Sequence, residues 1–228
     1  MRQPQQPSGP AAQPAADDTP LGLRETPTAA LARTERQRAR RRRILDASTS
    51  LASAGGFDAV QMREVAETAQ VALGTLYRYF PSKVHLLVAV LHDQLERLWD
   101  TLRERPLVEA DPADRLAHAL RRAFRAHQRE PRLAEAMMRA LLFADASARA
   151  EVTAVSALTS RLLLDASGLP EPASAAEAEH RLSAIRVIQH TWQSTLVYWL
   201  SGTITLAQAH ADLETACRLV APYPAPDR

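Results

Sequence analysis

The chain contains a single cysteine, Cys217, among its 228 residues. One thiol excludes an intramolecular disulfide and any cysteine-based metal cage. Set among Leu213, Ala216 and Val220, it reads as a small buried core residue. Long apolar runs are missing too: the longest clean run, residues 86–91, is far short of the roughly 20 residues a membrane helix needs. The first residues are Pro, Gln and Ala rather than a basic start followed by an apolar run, which predicts no secretory signal and a soluble, cytoplasmic protein. No alternating strand pattern and no Asn-Gly hairpin dipeptide occurs, so an all-α fold is expected. There is also no G-x-S-x-G elbow, no phosphate-binding glycine loop and no H-E-x-x-H. His85 and His92 stand two turns apart on one expected helix without an accompanying carboxylate or thiol set, so neither an enzyme nor a metal site is expected.

Lysine is nearly absent as well, Lys83 being the only one, and the formal net charge of +2 says little about partners. Its distribution says more. Between positions 33 and 43 stand seven arginines, Arg41 and Arg42 among them, against the single acidic Glu35. Such a run marks contact with nucleic acid or with an anionic membrane. A membrane-surface helix needs a bulky apolar face, which this run lacks until Ile44, a residue the core should claim. DNA is the better partner, and no membrane is expected.

Residues 1–32 carry prolines at 4, 7, 10, 14, 20 and 27 with no helical or strand period, and read as a disordered tail. A helix is expected from Thr34, burying Ile44, Leu45, Ala47, Leu51 and Ala52 and ending at Gly55-Gly56 in a left-handed conformation. A second helix is expected over residues 62–69 and, after a break at Gln70-Val71, a third over residues 73–80, stopped by Pro81. Ser82 caps a long fourth helix with an apolar stripe through Leu87, Leu91, Leu95 and Leu98. Asp111-Pro112, Pro131, Ser147, the capping box Ser174/Glu177 and Thr205 open five more.

The second and third helices with their short turn carry the most specific signal. Ala66, Ala69, Val71 and Leu76 belong inside, and Gly74 allows close approach to a neighbouring backbone. Leu73, Thr75, Tyr77, Arg78 and Tyr79 are left facing outward. Hydroxyl, phenol and guanidinium groups are the donors that phosphates and base edges accept. Arg63 and Lys83 extend that surface, and Arg78 has three open roles, toward base, phosphate or solvent. A solvated helix with stray aromatics is the plain alternative.

ILDASTSLASAGGFDAVQMREVAETAQVALGTLYRYFPSKVHLL, and GTLYRYFPSK above all, resembles the DNA-binding segment of the TetR family of bacterial repressors. The likeness implies a DNA-binding domain over residues 33–81 and an effector-binding and dimerisation domain over residues 82–222. It implies that the third helix enters the major groove, where Leu73, Gly74, Thr75, Tyr77 and Tyr79 meet bases and phosphates and Lys83 grips the backbone. Gln61 departs from the family's usual Thr or Ser cap, though its amide is able to accept a helix N–H. QRARRRRILDA and PRLAEAMMRALLFADASARAEV extend the likeness to the actinobacterial branch that represses cholesterol and steroid catabolism. That branch implies a ligand-responsive repressor, bound as a homodimer to a palindromic double-stranded DNA operator. It implies release by a hydrophobic effector, a steroid-derived acyl-CoA, and no cofactor. A regulator of another lipid pathway is the alternative.

For the second part, Leu196, Trp199, Leu206, Leu213 and Val220 on the last two helices suggest a two-fold four-helix interface, or else simple monomer core. Leu95, Trp99, Phe124, Met137, Met138, Leu141, Phe143 and Trp192 are candidates for a ligand pocket, although Met and aromatics at helical spacing are more often ordinary core. His118, Arg121, Arg122, Arg125 and Arg129 lie on adjoining faces, suited to CoA phosphates or to solvent.

Overall fold

The computed structural model describes residues 27–105 and 107–218, with side chains from Thr34 onward. The chain divides into two compact units, residues 1–37 and 38–228. The described part of the first is the opening of one helix; all that follows concerns the second. The tail expected over residues 1–32 lies outside the described residues as far as residue 26, and from Pro27 the backbone is already helical.

Among the described residues every regular element is helical. The order is α1 (Pro27–Ala59), α2 (Met62–Thr68), α3 (Leu73–Tyr79), α4 (Lys83–Glu104), α5 (Pro112–Arg129) and α6 (Pro131–Leu142). A 3-10 turn, Ala146–Ala148, leads into α7 (Arg149–Ser167), followed by α8 (Ala175–Leu200) and α9 (Leu206–Cys217). No helix among the described residues is long and apolar enough to cross a membrane. Asp111, Ser174 and Thr205 cap their helices as the sequence suggests, whereas Ser147 does not open α7: it sits in the 3-10 turn, where Asp145 accepts from its N–H at 2.8 Å, and α7 starts at Arg149 without a side-chain cap. Asp111 accepts from the N–H groups of Ala113 and Asp114, at 2.8 and 3.1 Å, and Thr205 accepts from Gln208 N–H at 3.2 Å. At α8 the box is shifted by one residue. Ser174 accepts from Glu177 N–H, but the Glu177 carboxylate reaches back to Ala173 N–H.

Two expectations about α1 and α2 need correction. Gly56 breaks α1 with φ 72° and ψ −162°, a region open to glycine but not the left-handed helical one. It is also confined, since a Cβ there would stand 2.8 Å from the Glu135 carboxylate. Gln61 does not cap α2 with its side chain; the amide turns back to donate to Asp58 O at 2.8 Å.

The turn between α2 and α3 is a Schellman arrangement: Val71 N–H reaches Ala66 O at 2.9 Å and Gln70 N–H reaches Glu67 O at 3.1 Å. It needs a left-handed residue, and here Gln70 supplies it at φ 54°. A side chain in that conformation costs roughly 1–2 kcal/mol. Gln70→Gly should therefore stabilise the fold, by less than about 1 kcal/mol once the glycine's extra unfolded-state freedom is counted. Gln70→Val should destabilise it. Urea midpoints of the two variants check the sign, and a Gln70→Gly midpoint below the parent's would contradict it.

Beyond α2 and α3, α4 packs on α6 and α7, α5 on α7 and α9, and α8 on α9, α7 and α6. One continuous core runs from Ile44 and Leu45 through Leu86, Leu87 and Val90 to Phe124, Ile185 and Leu196. Cys217 is fully buried at its far end, and burial pushes its thiol up to about 12. The thiolate needed for reactivity is thus suppressed.

Candidate nucleic-acid interface and apolar cavity

Val65, Ala66, Ala69 and Leu76 are all buried and lock α2 to α3. Arg43 adds a polar tie, donating through Nε to Ala69 O at 3.3 Å at the C-terminal end of α2. On this support α3 exposes Gly74, Tyr77 and Arg78, while Thr75 is half-buried. Arg63 at the start of α2 is exposed. Leu73 and Tyr79 differ from expectation: both are half-buried and pack against the core, Tyr79 with its ring 6.3 Å from that of Phe80. Nor does Gly74 accommodate a neighbour within the chain, because a Cβ there would meet nothing within 4 Å. Its small size leaves space on the outer surface.

Three basic candidates are engaged elsewhere. Lys83 turns inward, donating to Phe57 O at 3.1 Å with its ammonium 4.4 Å from the centre of the Phe57 ring. That carbonyl also accepts from Val60 N–H at 3.3 Å, and the lysine adds a second hydrogen bond and a cation–π contact. Partial burial holds its ammonium below the usual lysine value, against the opposing pull of Asp58. Arg42 pairs with Asp46 at 3.5 Å and Asp93 at 3.8 Å, the same carboxylates that hold Arg97 on α4. Arg41 lies over the Phe80 ring at 5.8 Å.

A polar clasp that local sequence does not signal joins α6 and the residue before it to the end of α1 on both sides of the Gly56 break. Glu135 accepts from Phe57 N–H at 3.0 Å, and Arg139 pairs with Asp58 at 2.9 Å. Arg139 also covers the Phe57 ring at 4.7 Å, Arg132 donates to Ala54 O, and Ser53 donates to Glu130. All these partners lie about 80 positions apart in sequence, so no spacing rule could have paired them.

The opposite face of α6 borders a cavity of about 140 Å³ enclosed by α4 to α8. Leu95, Met137 and Trp192 line it, as do Leu91, Leu133 and Leu162, with Gln94, His127, Glu130, Thr159 and Gln189 as polar groups. An adjoining compartment of about 80 Å³ takes Met138 and Leu141, and shares Leu95 and Trp192. The other pocket candidates lie elsewhere. Phe124 is fully buried behind the wall, its ring 5.7 Å from Trp192, 5.1 Å from Trp199 and 5.7 Å from His210. Trp99 stands further along α4 beneath Arg161, in a separate cleft with Leu102 and Leu107. Phe143 follows the end of α6, 58% exposed, with its ring edge-on to Phe57 at 5.9 Å.

His127 sits against Trp192 at 5.7 Å, and burial pushes its imidazole down to about 4. It is therefore neutral at pH 7. Because its folded value lies below the unfolded value near 6.5, acid favours the unfolded chain. The fold should hold its full stability above about pH 6.5 and lose it progressively as pH falls toward 4. Melting temperatures across that range for the parent and His127→Gln test this, the variant being expected to show the flatter profile.

Of the basic set on α5, His118 bonds Glu109 and Arg121 pairs with Glu214. Arg122 donates to Arg105 O and Thr101 O at the end of α4, while Arg125 and Arg129 are exposed. Of the interface candidates, Leu196 and Leu213 are fully buried within the chain and present no surface. Trp199 and Leu206 are half-buried, and Val220 lies outside the described residues. The periodicity picked the inner stripe of α8. Its outer stripe carries Val187, Ser194 and Tyr198, spaced seven and four apart and all exposed.

Residues 44–90 match the family model "Bacterial regulatory proteins, tetR family", and residues 110–220 match "Tetracyclin repressor-like, C-terminal domain". The chain is 47% identical over 184 residues to the HTH-type transcriptional repressor KstR of Rhodococcus jostii, covering 81% of this chain and 84% of that one. It is 46% identical to KstR of Mycobacterium tuberculosis, with 82% of each covered. A TetR transcriptional regulator of Rhodococcus sp. RHA1 superposes with TM-score 0.75 at 35% identity, over 83% of this chain and 100% of the other. The fold is also similar to that of Thermus thermophilus FadR, solved with lauroyl-CoA, with TM-score 0.60 at 24% identity over 82% and 100% of the two chains.

Proposed function

Because the chain belongs to the TetR family of bacterial regulatory proteins, helix-turn-helix regulators of transcription rather than enzymes, we propose that it is a repressor. In this reading it holds a palindromic operator as a homodimer and releases it on binding a steroid-derived acyl-CoA. Residues 33–81 read DNA; residues 82–222 bind the effector and dimerise.

One observation carries the DNA-reading role. The outer face of α3 presents exposed Tyr77 and Arg78 and half-buried Thr75 beside an unobstructed Gly74, on a scaffold whose inner residues are buried. Glycine in a helix costs roughly 1 kcal/mol relative to alanine. Nothing among the described residues uses the space, which supports close approach by a partner. Repression is supported by the KstR relatives, whose likeness continues well beyond the reading head. One helix-turn-helix contacts too few base pairs to select a site, which favours a dimer. The exposed α8 stripe of Val187, Ser194 and Tyr198 is the surface we assign to it.

Release follows by population shift. An effector favours the DNA-incompetent state only as far as it binds that state more tightly. Two helices that wall the cavity also hold the reading head: α4 through the Asp93 and Arg97 pairs, α6 through its clasp on Ser53 to Asp58. Displacing either moves the reading head relative to its dimer mate.

Selection of bound sequences from random DNA should yield an inverted repeat. A titration with steroid acyl-CoA thioesters should then free the selected DNA in a gel shift, and sedimentation should give a dimer at micromolar concentration. Unenriched sequence, unchanged operator affinity or a monomer would overturn the operator, effector or dimer assignment respectively.

A further inference from the structure

Arg41, Arg42 and Arg43 stand at consecutive positions of α1, about 100° apart around the helix, and each meets a different neighbour. Arg41 lies over the ring of Phe80, just past the end of α3, and Arg42 pairs with Asp46 and Asp93. Arg43 serves the other end of α3. Its Nε donates to Ala69 O at 3.3 Å, in the turn that leads to the N-cap of α3 at Ala72. That carbonyl is among the acceptors a helix leaves open at its C-terminal end, and no backbone N–H among the described residues reaches it.

The bond to Ala69 uses one of the guanidinium's N–H donors and leaves those on both Nη atoms. Among the described residues no other hydrogen bond and no ion pair engages Arg43, and the residue is exposed. Its charge is therefore not offset within the chain, unlike that of Arg42. The anchor point matters. The turn holds its shape through left-handed Gln70 and the Val71 N–H on Ala66 O, and it sets where α3 begins. In a helix-turn-helix the N-terminal end of the reading helix meets base edges, while flanking phosphates fix its register. A guanidinium is a planar fork able to bond two partners at once, whereas a lysine ammonium acts as a point charge.

We propose that Arg43 bridges the α2–α3 turn and a DNA phosphate, Nε holding Ala69 O while the Nη groups take the phosphate. It is a positioning residue. Gripping the DNA backbone through the turn itself ties phosphate contact to the register of α3, so Arg43 adds to sequence discrimination without touching a base. This rests on the DNA-reading role above and is independent of the effector.

The test measures affinity against salt concentration for the full chain, on the duplex selected from random DNA and on a scrambled duplex of the same length. Arg43→Gln should make the log–log salt slope shallower by about 0.9 for each protomer bound, on both duplexes, with a nearly unchanged urea midpoint. Arg43→Lys should keep the parent's slope, because the charge stays, yet lose roughly tenfold on the selected duplex and little on the scrambled one. A parent-like slope for Arg43→Gln overturns the phosphate contact. Full sequence preference in Arg43→Lys overturns the bridge, since a point charge then suffices. A fall in urea midpoint that accounts for the lost binding places Arg43 in the fold alone and overturns both. If the parent prefers neither duplex, the DNA-reading role falls and the inference with it.

Discussion

Phe124→Ala should lower the free energy of unfolding by about 3–5 kcal/mol, the upper range for a buried large-to-small change. The ring is fully buried and meets two tryptophans and a histidine edge-on, with centroids 5.1–5.7 Å away. Edge-to-face pairs of this kind add to the burial of area. The partners come from α8 and α9, so the ring holds three helices at once. Collapse around the void would require whole helices to move, which keeps the cavity open and the cost high. A urea titration reads the effect as a fall in midpoint with unchanged slope. A loss below about 1.5 kcal/mol would mean that the site closes around the deletion, and that the aromatic cluster is not what joins these helices.

The second large effect falls on DNA. Tyr77→Ala should weaken operator binding by about 10- to 100-fold, the range for losing one good base or phosphate contact. It should leave the urea midpoint nearly unchanged, because Tyr77 is 46% exposed. Gly74→Ala should separate the two properties further. The fold should gain up to about 1 kcal/mol from better helix propensity, while operator affinity falls because the added methyl occupies the open approach. Parent-like DNA binding by Gly74→Ala would show that the space at Gly74 serves no partner. A fall in stability parallel to the loss of binding in Tyr77→Ala would place that side chain in the fold rather than at the interface.

Much of the molecule was legible along the chain because its determinants are local. Helix starts depend on residues within one turn, so Asp111, Ser174 and Thr205 were identifiable as caps, and α3 through its likeness to a known reading head. Polarity along α3 depends on a helical period, which separated Leu76 from Tyr77 and Arg78. The same rule failed where a side chain's partner is remote. Lys83 meets the Phe57 carbonyl and Arg42 meets Asp93, partners that no local spacing signals. Leu196 and Leu213 resemble an interface stripe because periodicity identifies an apolar face without saying whether the chain's own helices already cover it.

All-α architecture, the helix-turn-helix and the family were thus determined by the sequence alone, through spacings of three to seven residues and a decisive ten-residue segment. Only the tertiary structure decided which arginines stay free, that the single lysine turns inward, that α6 grips the end of α1 around Gly56, and where the cavity lies among α4 to α8. The reason is physical. Propensity and capping are properties of neighbouring residues, whereas a hydrogen bond between Glu135 and Phe57 exists only once 78 positions of intervening chain have been folded back.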